Sequence, residues 1–251
     1  MCSDSFEVVK ISLVSQVSRL KTVEERTNSL LALYDGLPHE QGEDLLRAVV
    51  VWLHGALEEA LRLHVGNALR DADQQTLNQV PLFGITSIRP EKFLLGSLAN
   101  FRGHSVDCVI SQSVDAYVQR LTFNDFTDVA RALECMPLTP ECLESLKSPE
   151  PAAAIEVLCR RRHRIVHEGD LLPGLHPSLR ALDKETVVHW QHVVMSFVAL
   201  LVVAVEATRC EIAMGPEWTA EQRRLRAEEG AAREAYTGQG LPKSASSDGS
   251  V

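Results

Sequence analysis

The sequence predicts an all-α fold, an antiparallel helical bundle with an additional N-terminal helix and a disordered C-terminal tail. Three observations lead there. Apolar residues recur at three- and four-residue spacing over long stretches of the chain. Aromatics are only 5% of the 251 residues and glycines number 14, too few for a sandwich or barrel of ring-filled strands and many turns. Residues that start and stop helices fall between the periodic stretches.

Residues 6–33 carry apolar groups at helical spacing, from Val9, Leu13 and Val17 through Leu20 to Leu30 and Leu33, and end at Asp35-Gly36-Leu37-Pro38. This is one long helix or two short ones. A stronger helix is expected over about 42–69, with Leu46, Val50, Leu53, Leu57, Ala60, Leu61 and His64 on one face. Its Val49-Val50-Val51-Trp52-Leu53 run mimics a strand, but the helix formers that follow Gly55 decide for helix. Residues 70–89 lack periodicity and read as a loop. Short helices follow near 91–99, 105–121, 125–134 and 141–147, with Asn124 and Thr139 as N-caps and Pro140 in a first turn.

A further helix starts at Pro149, acidic at its beginning and basic near its end, and stops at Gly169. After a loop holding Pro173, Gly174 and Pro177, the last long helix spans about 183–213. Its 193–205 stretch is apolar except for Ser196, as expected of a helix covered on nearly all sides and able to meet a second subunit. A membrane span is the competing reading. That needs about 20 apolar residues, and His189, Gln191 and His192 intrude on one flank and Glu206 on the other. Beyond Pro216 the chain becomes a Glu/Arg/Ala helix former and then a Ser-rich end. Residues 1–215 are therefore expected to form one domain, with a core of about 40–213 and an N-terminal extension at 5–35. Residues 216–251 form a solvated helix and a disordered tail.

A net charge of −9 argues against coating duplex DNA through a broad basic face, while leaving room for a local basic site. The six cysteines include no C-x-x-C pair and no signal-like segment is read at the start, so reduced thiols and a cytoplasmic location are expected. Cys108 and Cys159 lie in apolar helical stretches and read as small hydrophobes.

The chemistry concentrates in Arg160-Arg161-Arg162-His163-Arg164-Ile165-Val166-His167. At about 100° per residue, Ile155, Leu158, Cys159, Ile165 and Val166 form an apolar stripe with Arg162 near its middle. A guanidinium aimed inward needs carboxylates or a ligand phosphate to satisfy its donors. Arg162 is therefore a structural ion pair, for example with Glu58 or Glu206, or part of a site. His163 and His167 lie together on one flank, and Arg164 points roughly opposite Arg162. His54 and Glu58 share a helix face, and Glu58 is a candidate for supporting the motif. His64, His189 and His192 read as packing residues, each with one satisfied nitrogen. A metal pair formed by His163 and His167 lacks an HExxH motif and an obvious third ligand, so no metal or cofactor is expected.

Arg162-His163-Arg164-Ile165-Val166-His167 resembles the R-x4-H form of the R-x4-6-H signature of the HEPN superfamily, with a histidine in the favoured place after the arginine. The helix around Gly55-Ala-Leu-Glu-Glu-Ala-Leu-Arg is similar to an early bundle helix of the larger HEPN proteins of the RiboL-PSP type. The apolar helix after His167 is similar to their closing helix, so the resemblance covers roughly residues 40–210. It implies a HEPN-type bundle that dimerises with its motifs facing across one cleft, and an endoribonuclease that cuts RNA without a metal. Arg162, His167 and His163 are then the catalytic candidates, and Arg160 and Arg164 extend the phosphate contacts. The free carbonyls of the helix end favour a cation at His167. The ribose 2′-OH attacks the adjacent phosphate to leave a 2′,3′-cyclic phosphate, as a toxin or anti-phage effector would cut RNA, and an antitoxin or regulatory protein is a further expected partner. The tyrosine modified in some such toxins is replaced here by Gly169, so a nucleotidyltransferase antitoxin is not supported. The competing expectation is a non-catalytic helical module that binds RNA or a protein partner.

Overall fold

The computed structural model describes residues 2–83, 101–174 and 178–214, with side chains described from residue 14 to residue 210 within them. Among these residues there are eight helices and no strand. An isolated antiparallel bridge joins Leu171 to Leu179. The all-α expectation is met. The helix expected at 91–99 and the tail at 216–251 lie outside the described residues.

The N-terminal periodicity resolves into a single helix, α1 (Cys2–Tyr34), which packs along α2 (His39–Arg70) and α8 (Lys184–Met214). Its buried edge runs through Gln16, Thr27 and Leu31, whereas Val17 and Leu33 are exposed. Two polar residues thus occupy the inward face, and each is bonded. Thr27 Oγ1 donates to the Val23 carbonyl at 2.7 Å, and Gln16 Nε2 donates to Glu206 Oε1 at 3.1 Å. At the α1–α2 corner, a Cβ on Gly42 would lie 3.0 Å from the Tyr34 ring. Glycine there lets the two helices approach.

Helix α2 is the centre of the bundle, touching α1, α4, α5, α7 and α8. Leu46, Val50, Leu53, Leu57 and Leu61 are fully buried, as their spacing predicts. The loop expected at 70–89 contains a one-turn helix, α3 (Gln74–Leu77), because Asp73 accepts from the Thr76 amide and caps it.

Ser105 caps α4 (Val106–Val118) and Thr139 caps α6 (Pro140–Leu146), with Pro140 in the first turn. For α5 (Phe126–Glu134) the cap is Asp125, not Asn124. Asp125 accepts from the Asp128 amide at 3.0 Å, and Asp128 Oδ2 in return accepts from the Asn124 amide at 3.2 Å. The carboxylate one residue further on closes the reciprocal bonds, so the helix starts there.

Helix α7 (Pro149–Glu168) ends at Gly169, whose φ of 62° is left-handed and whose amide reaches the Arg164 carbonyl. Asp183 accepts from the amide of Thr186 at 2.7 Å, in the first turn of α8. By length and composition, Lys184–Cys210 is one helix apolar enough to cross a membrane. In the bundle it packs against α1, α2, α6 and α7 and buries Val187, Val194, Val198, Leu201 and Val205, together with Gln191 and Glu206. It is not covered all round. Leu200 and Val203 are 37% and 59% exposed, because the four neighbouring helices leave that edge open among the described residues.

The expected packing histidines divide differently. His189 and His192 are exposed on the outer face of α8. His64 is buried, and neither of its ring nitrogens has a hydrogen-bond partner among the described residues. Burial, reinforced by the Arg209 charge, pushes its pKa down to about 4. The unfolded chain takes up a proton there near 6.5, so between those values it binds more protons than the folded chain. Stability is therefore expected to fall as pH drops from about 6.5 to about 4 and to level off below, by roughly 3 kcal/mol from this group. The urea midpoint of wild type should fall relative to that of His64→Leu as pH drops across that range. Parallel curves would show that His64 is already charged in the fold.

Candidate functional site

The arginine-rich segment occupies the last two turns of α7, and its side chains are sorted by face. Ile155, Leu158 and Cys159 face the core, where burial, with Glu156, Asp125 and Glu58 nearby, pushes the Cys159 thiol up to about 12. It is an inert packing group, as its context predicts. The apolar stripe fades toward the helix end. Ile165 is half-buried and Val166 is 48% exposed, because the last turn projects beyond the core.

His163 and His167 are both exposed and stand against each other, with ring centroids 4.7 Å apart and planes tilted by 46°. Arg160 and Arg164 belong to the same side of the helix by their spacing. Arg160 is held by Glu156 at 2.6 Å, and that carboxylate also accepts from the Phe126 amide at the start of α5, at 2.7 Å. Arg164 is half-buried, and its carbonyl accepts from the amides of Gly169 and Asp170.

Arg162 lies about 140° around the helix from His167 and is half-buried toward α2. No hydrogen bond or ion pair to its side chain forms among the described residues, either with Glu58 or with Glu206. Glu58 instead pairs with Arg62 at 3.4 Å and stands 4.0 Å from His54 Nδ1, and Glu206 pairs with Arg209 at 3.5 Å. What Arg162 does share is a field. It acts on His54 and Cys159, the same two groups that feel Glu58.

His54 is buried, and its Nε2 donates to the Phe123 carbonyl at 2.9 Å, which requires the proton on that nitrogen. Burial lowers its pKa. The Phe123 carbonyl and Glu58 pull the other way, and Arg162 and Arg62 add to the lowering. Arg62 donates to the Leu121 carbonyl at 2.9 Å and lies over the Phe123 ring. Glu58 and Arg162 thus act on the same two groups without a bond between them among the described residues. The chain does not bring that guanidinium into contact with His163 or His167.

Within the arginine-rich run, the residue tied into the fold is Arg161, through its Nη2. It donates to Asp170 Oδ2 at 2.7 Å and to the carbonyls of Arg180 at 2.8 Å and Ala181 at 3.1 Å. Arg47 of α2 donates to the same Asp170 oxygen at 2.9 Å and to the Arg180 carbonyl at 2.7 Å, and is flanked by Glu43 and Asp44. Burial works against the Arg47 cation, but its bonds to Asp170 and Glu43 outweigh it and raise its pKa above the ordinary value. Asp170 itself is completely buried and sits at φ 57°, one of the few backbone conformations that Asp tolerates better than most residues. Sequence reasoning missed this clamp. Local pattern marks only its two ends, Arg47 beside Leu46 and Val50 on an apolar stripe and an Asp directly after a helix-stopping glycine, and not their pairing.

No group of three or more His, Cys, Asp or Glu residues able to hold a metal occurs among the described residues. Comparison with protein-family models, with curated proteins and with solved structures finds no match for this chain.

Replacing Asp170 by alanine strips the shared acceptor from two largely buried guanidinium groups. A loss of about 3–5 kcal/mol in unfolding free energy is expected, measured by urea denaturation. A change below about 1 kcal/mol would show that water or a neighbouring carboxylate takes over.

Proposed function

We propose that this chain is a HEPN-type endoribonuclease that works as a cytoplasmic homodimer and cuts RNA as a toxin or anti-phage effector, under the control of an antitoxin or regulatory protein. The observation that carries the reading is the exposed pair of imidazoles, His163 and His167, in ring contact at 4.7 Å beside Arg160 and Arg164 on a helix end. RNA cleavage by the neighbouring 2′-OH needs a base to remove its proton and an acid to protonate the departing 5′-oxygen. Two imidazoles supply both roles, and the product is a 2′,3′-cyclic phosphate. His167 is the principal group and His163 its partner or orienter. Arg162 stabilises the charge that grows on the phosphate oxygens. Arg160 and Arg164 hold flanking phosphates against an otherwise acidic chain, and Glu58 helps to position Arg162 through the α2 cluster.

Because Arg162 is turned away from the histidines within one chain, the full constellation needs a second copy. The exposed apolar residues Val157 and Val166 on α7, and Leu200 and Val203 on α8, support such pairing. One observation favours a second reading. Arg162 faces α2 and touches neither histidine, as expected of a non-catalytic helical module that binds RNA or a protein partner through its basic helix end.

The two readings part in one assay. With bulk RNA in EDTA, wild type should release fragments ending in 2′,3′-cyclic phosphate. His167→Ala and Arg162→Ala, checked for native circular dichroism, should be slower by about 10²–10⁴-fold. Equal RNA integrity with all three proteins at high concentration, with RNA still bound, would leave the binding module as the answer.

A further inference from the structure

A cleft of about 500 Å³, part of it open solvent, lies between α1, α2 and α8. Its walls are largely apolar, formed by Leu20 and Val23 of α1, Ala60 and Leu63 of α2, and Val194 and Val198 of α8. No residue of α7 lines it, so it is separate from the imidazole pair. The Arg19–Glu59 ion pair, at 3.0 Å and well exposed, marks its rim. Two buried polar residues also lie in the lining: Gln16, whose Nε2 donates to Glu206 Oε1 at 3.1 Å, and His64. His64 is 1% exposed, lines the cleft, and has neither Nδ1 nor Nε2 hydrogen-bonded among the described residues.

Buried polar atoms are rarely left unpaired, because each forfeits its hydration without recompense. A water molecule is a poor remedy here, since it wants two to four polar partners and these walls are mainly hydrocarbon. A flat apolar body carrying a single hydroxyl or N–H matches the surroundings better. The hydrocarbon part fills the space between the helices, and the polar group meets the imidazole. The imidazole is neutral well below physiological pH, held so by burial and by Arg209. It therefore presents one donor and one acceptor and no charge, which selects neutral hydroxylated or N–H-bearing ligands over carboxylates. From this geometry we infer that the α1–α2–α8 cleft is a binding site for a small neutral apolar molecule bearing one hydroxyl or ring N–H, of the phenol or indole class, anchored by His64.

Phenol and benzene, which differ by the hydroxyl alone, are the probes. Titrated into the full wild-type chain, phenol should shift the His64 ring nitrogens in long-range ¹H–¹⁵N spectra and bind at least tenfold more tightly than benzene. His64→Leu should weaken phenol at least tenfold and leave benzene unchanged or improved, and Ala60→Phe should exclude both by filling the cleft. Should His64→Leu fail to fold, the wild-type spectra and the phenol-to-benzene ratio still decide. Unmoved His64 resonances, equal affinities for the two probes, or phenol binding that survives the loss of the imidazole would each overturn the assignment.

Discussion

One buried carboxylate holds together the region where the candidate chemistry lies. Asp170 is fully buried, and a single one of its oxygens accepts from both Arg47 and Arg161. Its backbone is used as well: the amide donates to the Arg164 carbonyl at 3.0 Å, and the carbonyl accepts from the Arg180 amide at 2.9 Å. Both arginines also reach the Arg180 carbonyl, so α2, the end of α7 and the connection to α8 meet at one point. Burying a carboxylate and two guanidinium groups carries a desolvation cost that only this dense set of charge-assisted bonds offsets. The last turn of α7 has little else to hold it, since Val166, His167 and Glu168 are all exposed. Its position, and that of the two imidazoles on it, is therefore an electrostatic rather than a hydrophobic consequence of the fold.

The same logic divides the bundle into two halves of different character. Around the middle of α2, fully buried leucines and valines pack with α8 and α7, and stability comes from area removed from water. Toward α7, the polar residues His54, Glu58 and Arg62 satisfy one another and the carbonyls of the loop after α4. Arg162 lies in the field of that cluster without bonding to it among the described residues.

Periodicity revealed the helices because a buried face must repeat with the helical turn, and Leu46, Val50, Leu53 and Leu57 obey that rule without exception. Local chemistry also placed most ends, as at Thr139, Pro140 and Gly169. It erred at Asn124, where neighbouring cap residues differ only in which carboxylate completes the reciprocal bonds. The pairing of His163 with His167 follows from four-residue spacing and was legible. The roles of the adjacent arginines were not. Arg161 and Arg162 differ by about 100° around the helix, and Arg161 takes the structural part because Asp170 lies on its side. That carboxylate meets Arg47 across 123 positions of sequence, a contact no local pattern encodes. The orphaned His64 is a similar case, since its spacing shows burial but not whether a partner awaits it.

Native-state hydrogen exchange on wild type and Asp170→Asn reads the clamp directly, because asparagine keeps the shape and the tolerance of a left-handed backbone while removing the charge. The amides of Gly169, Asp170 and Arg180, and those of the last α7 turn, should lose at least tenfold in protection, while the amides of the α2 and α8 core change far less. Unchanged protection at the α7 end would contradict the account, for it would mean that this turn is held by something other than the buried carboxylate.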